Sequence, residues 1–244
     1  MTLSPFSLDG KQVLVVGAGA GIGAATARLC ARLGARVTLC GADAATLTQV
    51  RATLDGAGHA VVAGNLLETG GRQALVDALP VFDGCVFAGG SADALRIDAL
   101  TQQHLDAVFG ANVHAPLLLT QALLAAHKIG HGAALVYVTG AVQHWAFGGV
   151  AAQAAGNAAL NAAVRALAVE HAGQGIRANC VAPGVVDDGT PEAAPPIETP
   201  GPAPLGAVGP DDVAAGIAYL LAPASRWVSR TSLVVDGGLS LHVR

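Results

Sequence analysis

The run Val13-Leu14-Val15-Val16-Gly17-Ala18-Gly19-Ala20-Gly21-Ile22-Gly23-Ala24-Ala25 sets alternating glycines between an apolar β-forming stretch and an Ala-rich helical one. Where a strand turns sharply into a helix, free backbone N–H groups converge with the positive end of the helix dipole, and the ligand they suit is a pyrophosphate. A Cβ here would hold a phosphate away from the backbone, and glycine also admits a positive φ in the turn. The loop therefore predicts nucleotide binding through Gly17, Gly19, Ala20, Gly21, Ile22 and Gly23.

Other candidate chemistry is sparse. Cys30, Cys40, Cys85 and Cys180 lie far apart in apolar or helical stretches, the pattern of buried thiols rather than of a disulfide or zinc site. His127 and His131 have i, i+4 spacing, but Ile129-Gly130 between them marks the end of a helix and no third ligand lies near. A helix-end role is expected there, and no metal. A net charge of −4 and a pI near 6.0, without a basic stripe, argue against nucleic acid as a partner.

The elements that must position the glycine loop follow from patterning. A chain of 244 residues suits one α/β domain, and 52% hydrophobic against 12% charged residues describes a chain that buries much of itself. The mean hydropathy of +0.52 comes mostly from Ala and Val. Gly, Pro, His or Arg interrupt the apolar runs before the roughly 18–20 residues a membrane span requires, so no membrane is expected. The start, Met1-Thr2-Leu3-Ser4-Pro5-Phe6, lacks the basic region and apolar core of a signal peptide, and a cytoplasmic location is expected. Strands are predicted at 12–17, 35–40, 59–63, 83–88, 133–139, 177–182 and 232–235, and helices at 21–33, 43–55, 69–79, 101–128, 150–173 and 210–222. Strands with consecutive apolar residues, such as Leu135-Val136-Tyr137-Val138, belong to parallel sheets covered on both faces. The alternation predicts a single α/β domain over 1–244, a doubly wound parallel sheet of about seven strands with helices on both faces. Ligands in such sheets bind beyond the carboxyl ends of the strands.

Five stretches in order carry a resemblance to a known family. They are Gly17-xxx-Gly21-x-Gly23, Phe82-Asp83-Gly84-Cys85-Val86-Phe87-Ala88-Gly89-Gly90, Asn112-Val113-His114-Ala115, Gly175-Ile176-Arg177-Ala178-Asn179-Cys180-Val181-Ala182-Pro183-Gly184, and Val234-Val235-Asp236-Gly237-Gly238. Along nearly its whole length the chain resembles the short-chain dehydrogenases/reductases. The resemblance implies a Rossmann-type fold, NAD or NADP as cofactor, a small-molecule substrate and oxidoreductase chemistry. It also implies cofactor contacts from Gly41 and Ala42 after the second strand, Asn65 and Leu66 after the third, Ala88, Gly89 and Gly90 after the fourth, and Pro183, Gly184 and Val186 after the sixth.

The family's reaction uses a tyrosine phenol as acid/base, a lysine four residues on, an upstream serine and an asparagine. An ammonium and the nicotinamide charge lower the phenol pKa towards working pH. Aligned on Asn157-Ala158-Ala159-Leu160, these positions fall on Gln153, Asn157, Gly140 (with Thr139 just before it) and Asn112. The lysines of the chain are Lys11 and Lys128 and its tyrosines Tyr137 and Tyr219, so no shift of register restores the pair. Amides hold a carbonyl or a ribose hydroxyl but give up no proton near neutral pH. His144, on a loop after the fifth strand, titrates in the useful range and is a speculative substitute, although an exposed loop histidine beside Trp145 is the simpler role. Tyr137 is expected to pack or to satisfy one hydrogen bond.

Gly41-Ala42 offer neither the carboxylate that holds a ribose diol nor the arginine that holds a 2′-phosphate, and Asp43 is expected to cap the next helix. Asn65 is a hydrogen-bonding substitute for the aspartate that faces adenine. The stretch 187–209, with Pro191, Pro195, Pro196, Pro200, Pro202 and Pro204, is expected to form an extended or mobile flap where relatives carry a substrate lid. Trp145, Phe147 and that flap suggest a mostly apolar pocket. The two long helices, 101–128 and 150–173, are rich in Ala with few charges, and Ala151, Ala152, Ala155, Ala158, Ala159, Ala162 and Ala163 crowd the second, which predicts a homodimer or homotetramer assembled through both by close helix packing between subunits. Two functions remain open: a divergent or slow NAD(P)-dependent oxidoreductase with a degenerate active site, and a non-catalytic nucleotide- or ligand-binding member acting as sensor or subunit partner. A lyase or isomerase reusing the pocket is a third, lesser possibility.

Overall fold

The computed structural model describes residues 4–143, 147–187 and 203–242. Its strands are β1 (Gln12–Val16), β2 (Arg36–Gly41), β3 (Ala60–Ala63), β4 (Phe82–Phe87), β5 (Ile129–Val138), β6 (Arg177–Pro183) and β7 (Ser232–Val235). Between them run α1 (Gly21–Arg32), α2 (Ala44–Arg51), α3 (Thr69–Asp77), α4 (Gln102–Phe109), α5 (Ala115–Ala125), α6 (Ala151–Glu170) and α7 (Pro210–Leu221). The strands form one seven-stranded sheet of order β3-β2-β1-β4-β5-β6-β7. Every pairing is parallel, as the uninterrupted apolar strands require.

Successive strand residues point to opposite faces, and two apolar layers result. Val13, Val15, Val37, Leu39 and Val136 pack with Ala24, Ala27, Val213 and Ile217 of α1 and α7. Leu14, Phe82, Cys85, Phe87, Leu135 and Tyr137 pack on the other side with Leu119, Leu123, Leu160 and Val164 of α5 and α6. Each such leucine or valine contributes about 1.5–3 kcal/mol of burial.

The helix expected over 101–128 is divided. A π-helical turn, Gly110–His114, separates α4 from α5. Pro116 explains the break: its nitrogen has no hydrogen for the Asn112 carbonyl four residues back, and its ring would press on that oxygen. The span Gln102–Ala125 is long and apolar enough to cross a membrane, but 56% of its most apolar window is buried inside the protein. β5 begins at Ile129 rather than 133, because Ile129 pairs with Phe82 before a register shift. Accordingly His127 lies in a left-handed turn after α5 (φ 55°) and His131 on β5, so the two share no helix. α2 ends at Arg51, short of the expected 55, and Asp43 caps it by accepting from the Ala45 and Thr46 N–H groups.

The stretch around Asn179 is structural. The Asn179 amide donates to the Val228 carbonyl and accepts from the Thr231 N–H. Arg177 donates to the carbonyls of Leu220 and Val228 and to Ser225 Oγ. These bonds fasten β6 to the segment that leads into β7.

Candidate functional site

A cleft of about 370 Å³ opens beside the carboxyl ends of β1, β4, β5 and β6. Strand order reverses between β1 and β4, the place where such sheets bind ligands. The glycine loop forms one wall. Gly17 and Ala18 both donate to the Cys40 carbonyl, which ties the loop to the end of β2. Gly17 has φ 77°, and a Cβ there would lie 2.4 Å from the Gly89 nitrogen. A Cβ on Gly23 would lie 2.0 Å from the Gly17 oxygen. Thus two of the glycines serve close packing of the chain on itself, whereas Gly21 (φ 49°) has open space before it and lines the cleft. α1 starts there with no side chain capping its N-terminus. The N–H groups of its first turn and its dipole are left for an anion.

The opposite wall is held by amides. Asn112, in the π-helical turn, accepts from the Ser91 N–H at 2.7 Å and donates to the Ser91 carbonyl at 3.0 Å. Gln153 of α6 donates to the Asp93 carbonyl at 2.9 Å. Asn157, one turn further, faces Gly140, whose Cβ would stand 2.7 Å from Asn157 Nδ2. Asn112, Gln153 and Asn157 are 8%, 9% and 9% exposed. Thr139 donates its hydroxyl to the Val181 carbonyl at 3.3 Å. All five family positions predicted for catalysis (Asn112, Thr139, Gly140, Gln153 and Asn157) therefore line one cleft.

No described residue lining the cleft is an Asp, Glu, His, Cys, Lys, Arg or Tyr. Tyr137 is fully buried, stacked on Phe87 at 4.5 Å and hydrogen-bonded to Thr120 at 2.7 Å, and burial pushes its phenol far up. Lys11 precedes β1 and pairs with Asp83, and Lys128 precedes β5 and donates to the Leu79 carbonyl, so both sit at the amino edge of the sheet. The four thiols are buried and unpaired, and burial pushes Cys30, Cys40 and Cys180 up to about 12.

Of the predicted cofactor contacts, Gly21, Ile22, Ala88, Gly89, Gly90, Pro183, Gly184 and Val186 line the cleft. Gly41 and Ala42 end β2, and Asn65 and Leu66 follow β3, further along the same carboxyl edge. The Asn65 amide is engaged within its own turn, donating to Glu68 and accepting from the Leu67 N–H. His144 and Trp145 lie outside the described residues, as does the proline-rich stretch 188–202. Sequence reasoning missed Ser91 and Asp93, whose backbones anchor Asn112 and Gln153; their place just beyond β4 was the available signal. Val138, Val142 and Val185 add apolar wall, as does Phe147, which was expected there.

A family model described as enoyl-(acyl carrier protein) reductase matches residues 17–240. The chain is 33% identical over 254 residues to an uncharacterized oxidoreductase of Methylorubrum extorquens, covering 95% of this chain and 98% of that protein. A solved structure titled short chain dehydrogenase/reductase family protein superposes with a TM-score of 0.86 at 27% identity, over 96% of this chain and 99% of the other. Another, 3-ketoacyl-(acyl-carrier-protein) reductase from Brucella melitensis complexed with NADH, matches with a TM-score of 0.86 at 25% identity, over 96% and 100%.

Proposed function

The chain belongs to the short-chain dehydrogenase/reductase family, and from that membership we propose a nicotinamide-dependent oxidoreductase whose proton relay has been replaced by amides. The cofactor is NAD or NADP, and the residues present fit it: a glycine turn with positive φ, an uncapped helix start and a cleft beside it. The loop Gly17–Gly23 would hold the pyrophosphate, with Gly41, Ala42, Asn65 and Leu66 towards the adenosine and Ala88–Gly90 and Pro183–Val186 towards the nicotinamide. When bound, the cofactor supplies or takes a hydride. Asp43 is spent as a helix cap and Gly41-Ala42 carry no charge, which supports weak discrimination between NAD and NADP.

The single observation that carries the degenerate-site reading is the cleft's lack of a titratable side chain among the described residues. Gln153 and Asn157 bind and orient, and proton transfer falls to water or to His144. Losing a positioned acid/base costs about 10²–10⁴-fold in rate. The test is calorimetric titration with NADH and NADPH, followed by turnover with simple ketones. Binding of both cofactors with turnover at least about a hundredfold below an ordinary ~10 s⁻¹ is expected. A turnover of several per second at neutral pH overturns the reading.

A non-catalytic subunit partner is the second reading, favoured by the same lack of a titratable side chain in the cleft among the described residues. The outer face of α6 presents Ala155, Ala158, Ala162 and Val169, the last 60% exposed, a surface suited to close helix packing in a homodimer or homotetramer. Tight cofactor binding with no turnover on any carbonyl compound is the outcome that selects it. The buried, unpaired thiols support a reducing, cytoplasmic setting for either role.

A further inference from the structure

The hydrogen bonds separate the three amides of the cleft. Asn112 uses both ends of its side chain on Ser91, and Gln153 gives its nitrogen to Asp93. Asn157 has no hydrogen-bond partner among the described residues, although it is only 9% exposed and lines the cleft. Its amide stays in contact with the water of the cleft rather than sealed from it, so a ligand that displaces that water must give the amide a hydrogen-bond partner. Gly140 sets its place. A Cβ on Gly140 would come within 2.7 Å of Asn157 Nδ2, so the amide occupies the space that a side chain at 140 would fill, at the end of β5.

The surroundings limit what it would hold. With no charged residue among the described lining, an anionic or cationic ligand head would be desolvated without a side-chain counter-charge. An uncharged oxygen acceptor meets no such penalty, and Val142 and Phe147 supply apolar wall for the rest of the molecule. We propose that Asn157 is the substrate anchor of this cleft, donating its amide N–H to the carbonyl oxygen of an uncharged, largely apolar carbonyl compound. This deepens the proposed function and rests on its reading of the cleft as the substrate site.

The test uses acetophenone as probe and infrared difference spectroscopy of its isotopically labelled carbonyl. In the unmodified protein the bound carbonyl stretch shifts to lower frequency than in an apolar solvent. Asn157→Leu removes the donor, and Gly140→Ala drives a methyl group into the amide's place while leaving Asn157 intact. Both variants are expected to abolish the shift and weaken acetophenone binding about 3–10-fold, the worth of one neutral hydrogen bond. A shift that persists in Asn157→Leu, or the absence of saturable acetophenone binding to the unmodified protein, overturns the proposal. Circular dichroism of both variants guards against misfolding, and Gly140→Ala alone decides if Asn157→Leu does not fold. NADH titration of the unmodified protein is scored separately: failure there with an intact carbonyl shift removes the cofactor reading and leaves the anchor standing.

Discussion

Replacing the amides by the groups that the family resemblance implies tests the chemistry of the cleft directly. The substitutions are Gln153→Tyr, Asn157→Lys and Gly140→Ser, and the structure says that they are coupled. A Cβ at 140 sits 2.7 Å from Asn157 Nδ2 but 3.7 Å from Asn157 Cγ, an ordinary contact. Gly140→Ser alone must therefore push the amide aside, whereas a lysine at 157 retains the tolerated Cγ and sends its longer stem elsewhere. Gln153→Tyr gives up the bond to the Asp93 carbonyl, at a cost of about 1 kcal/mol. A lysine at a position nine-tenths buried adds a desolvation penalty until a ligand lies beside it. Against these losses, a positioned phenol with its ammonium is worth about 10²–10⁴ in rate, or about 2.7–5.4 kcal/mol of barrier. The assay is oxidation of NADH and NADPH with a ketone as a function of pH, alongside thermal unfolding. The triple variant is expected to gain at least a hundredfold in turnover, to acquire a new limb in its pH profile, and to melt several degrees lower. Gln153→Tyr alone is expected to gain far less. Full recovery in that single variant, or no gain in a folded triple variant that binds cofactor, refutes the coupling drawn from the geometry.

Gly17→Ala and Gly21→Ala should separate packing from binding. The former collides with Gly89 at φ 77° and lowers both melting temperature and cofactor affinity, while the latter, with open space before it, loses only about 1 kcal/mol of stability to its left-handed φ, yet lowers affinity by at least tenfold in calorimetry. Tyr137→Phe removes a bond in which Tyr137 donates to Thr120, since the Thr120 hydrogen goes to Pro116. A loss of about 1 kcal/mol, or about 2–4 °C in melting temperature, with unchanged NADH affinity is expected, and a large loss of affinity would show the phenol to be functional. Burial holds Cys30, Cys40 and Cys180 protonated in the fold up to about 12 from an ordinary 9.0, so above pH 9 the unfolded chain alone releases those protons. Stability falls with rising pH by up to about 1.4 kcal/mol per pH unit for each thiol, and urea titrations at about pH 8 and about pH 10 that give equal free energies would refute this. Light scattering should give a multiple of 24.1 kDa, with Ala158→Arg on the outer face of α6 dissociating the assembly; a mass of one chain for the unmodified protein rules it out.

The strands were legible because burial on both faces leaves a composition that few other environments produce. Val13 to Val16 and Leu135 to Val138 send alternate residues into two apolar layers, and no charge interrupts them. The glycine loop was legible for a partly mistaken reason. Gly17 and Gly23 are needed for chain-on-chain contacts that no local pattern reveals, and only Gly21 is open to a ligand in the way a phosphate cradle suggests. The break at Gly110–His114 was hidden because strong helix formers flank it on both sides; Gly110 and Pro116 were the available signs, since the missing donor of Pro116 belongs to the Asn112 carbonyl. Boundaries such as the early start of β5 depend on pairing with Phe82, a contact set by the sheet and not by the strand.

What no reading of positions in isolation could supply is the division of labour among the amides. Asn112 is separated by 21 residues from Ser91, and Gln153 by 60 from Asp93, so the bonds that occupy them exist only once α4, α5 and α6 have packed beside β4. Those bonds turn two of the three amides into supports for the loop beyond β4 and leave Asn157 as the donor without a partner among the described residues. The same packing brings Gly140 against it, so a serine cannot return at 140 while the amide stays where it is. Gly140 and Asn157 are thus sterically coupled: the missing side chain at 140 makes room for the amide, and on the proposed reading the amide supplies the hydrogen bond that a hydroxyl there would have given. The proton is the part of the original chemistry that this exchange cannot replace, because an amide donates without releasing. On the proposed reading, a cleft built in this way retains recognition of a carbonyl without the acid that would complete its reduction.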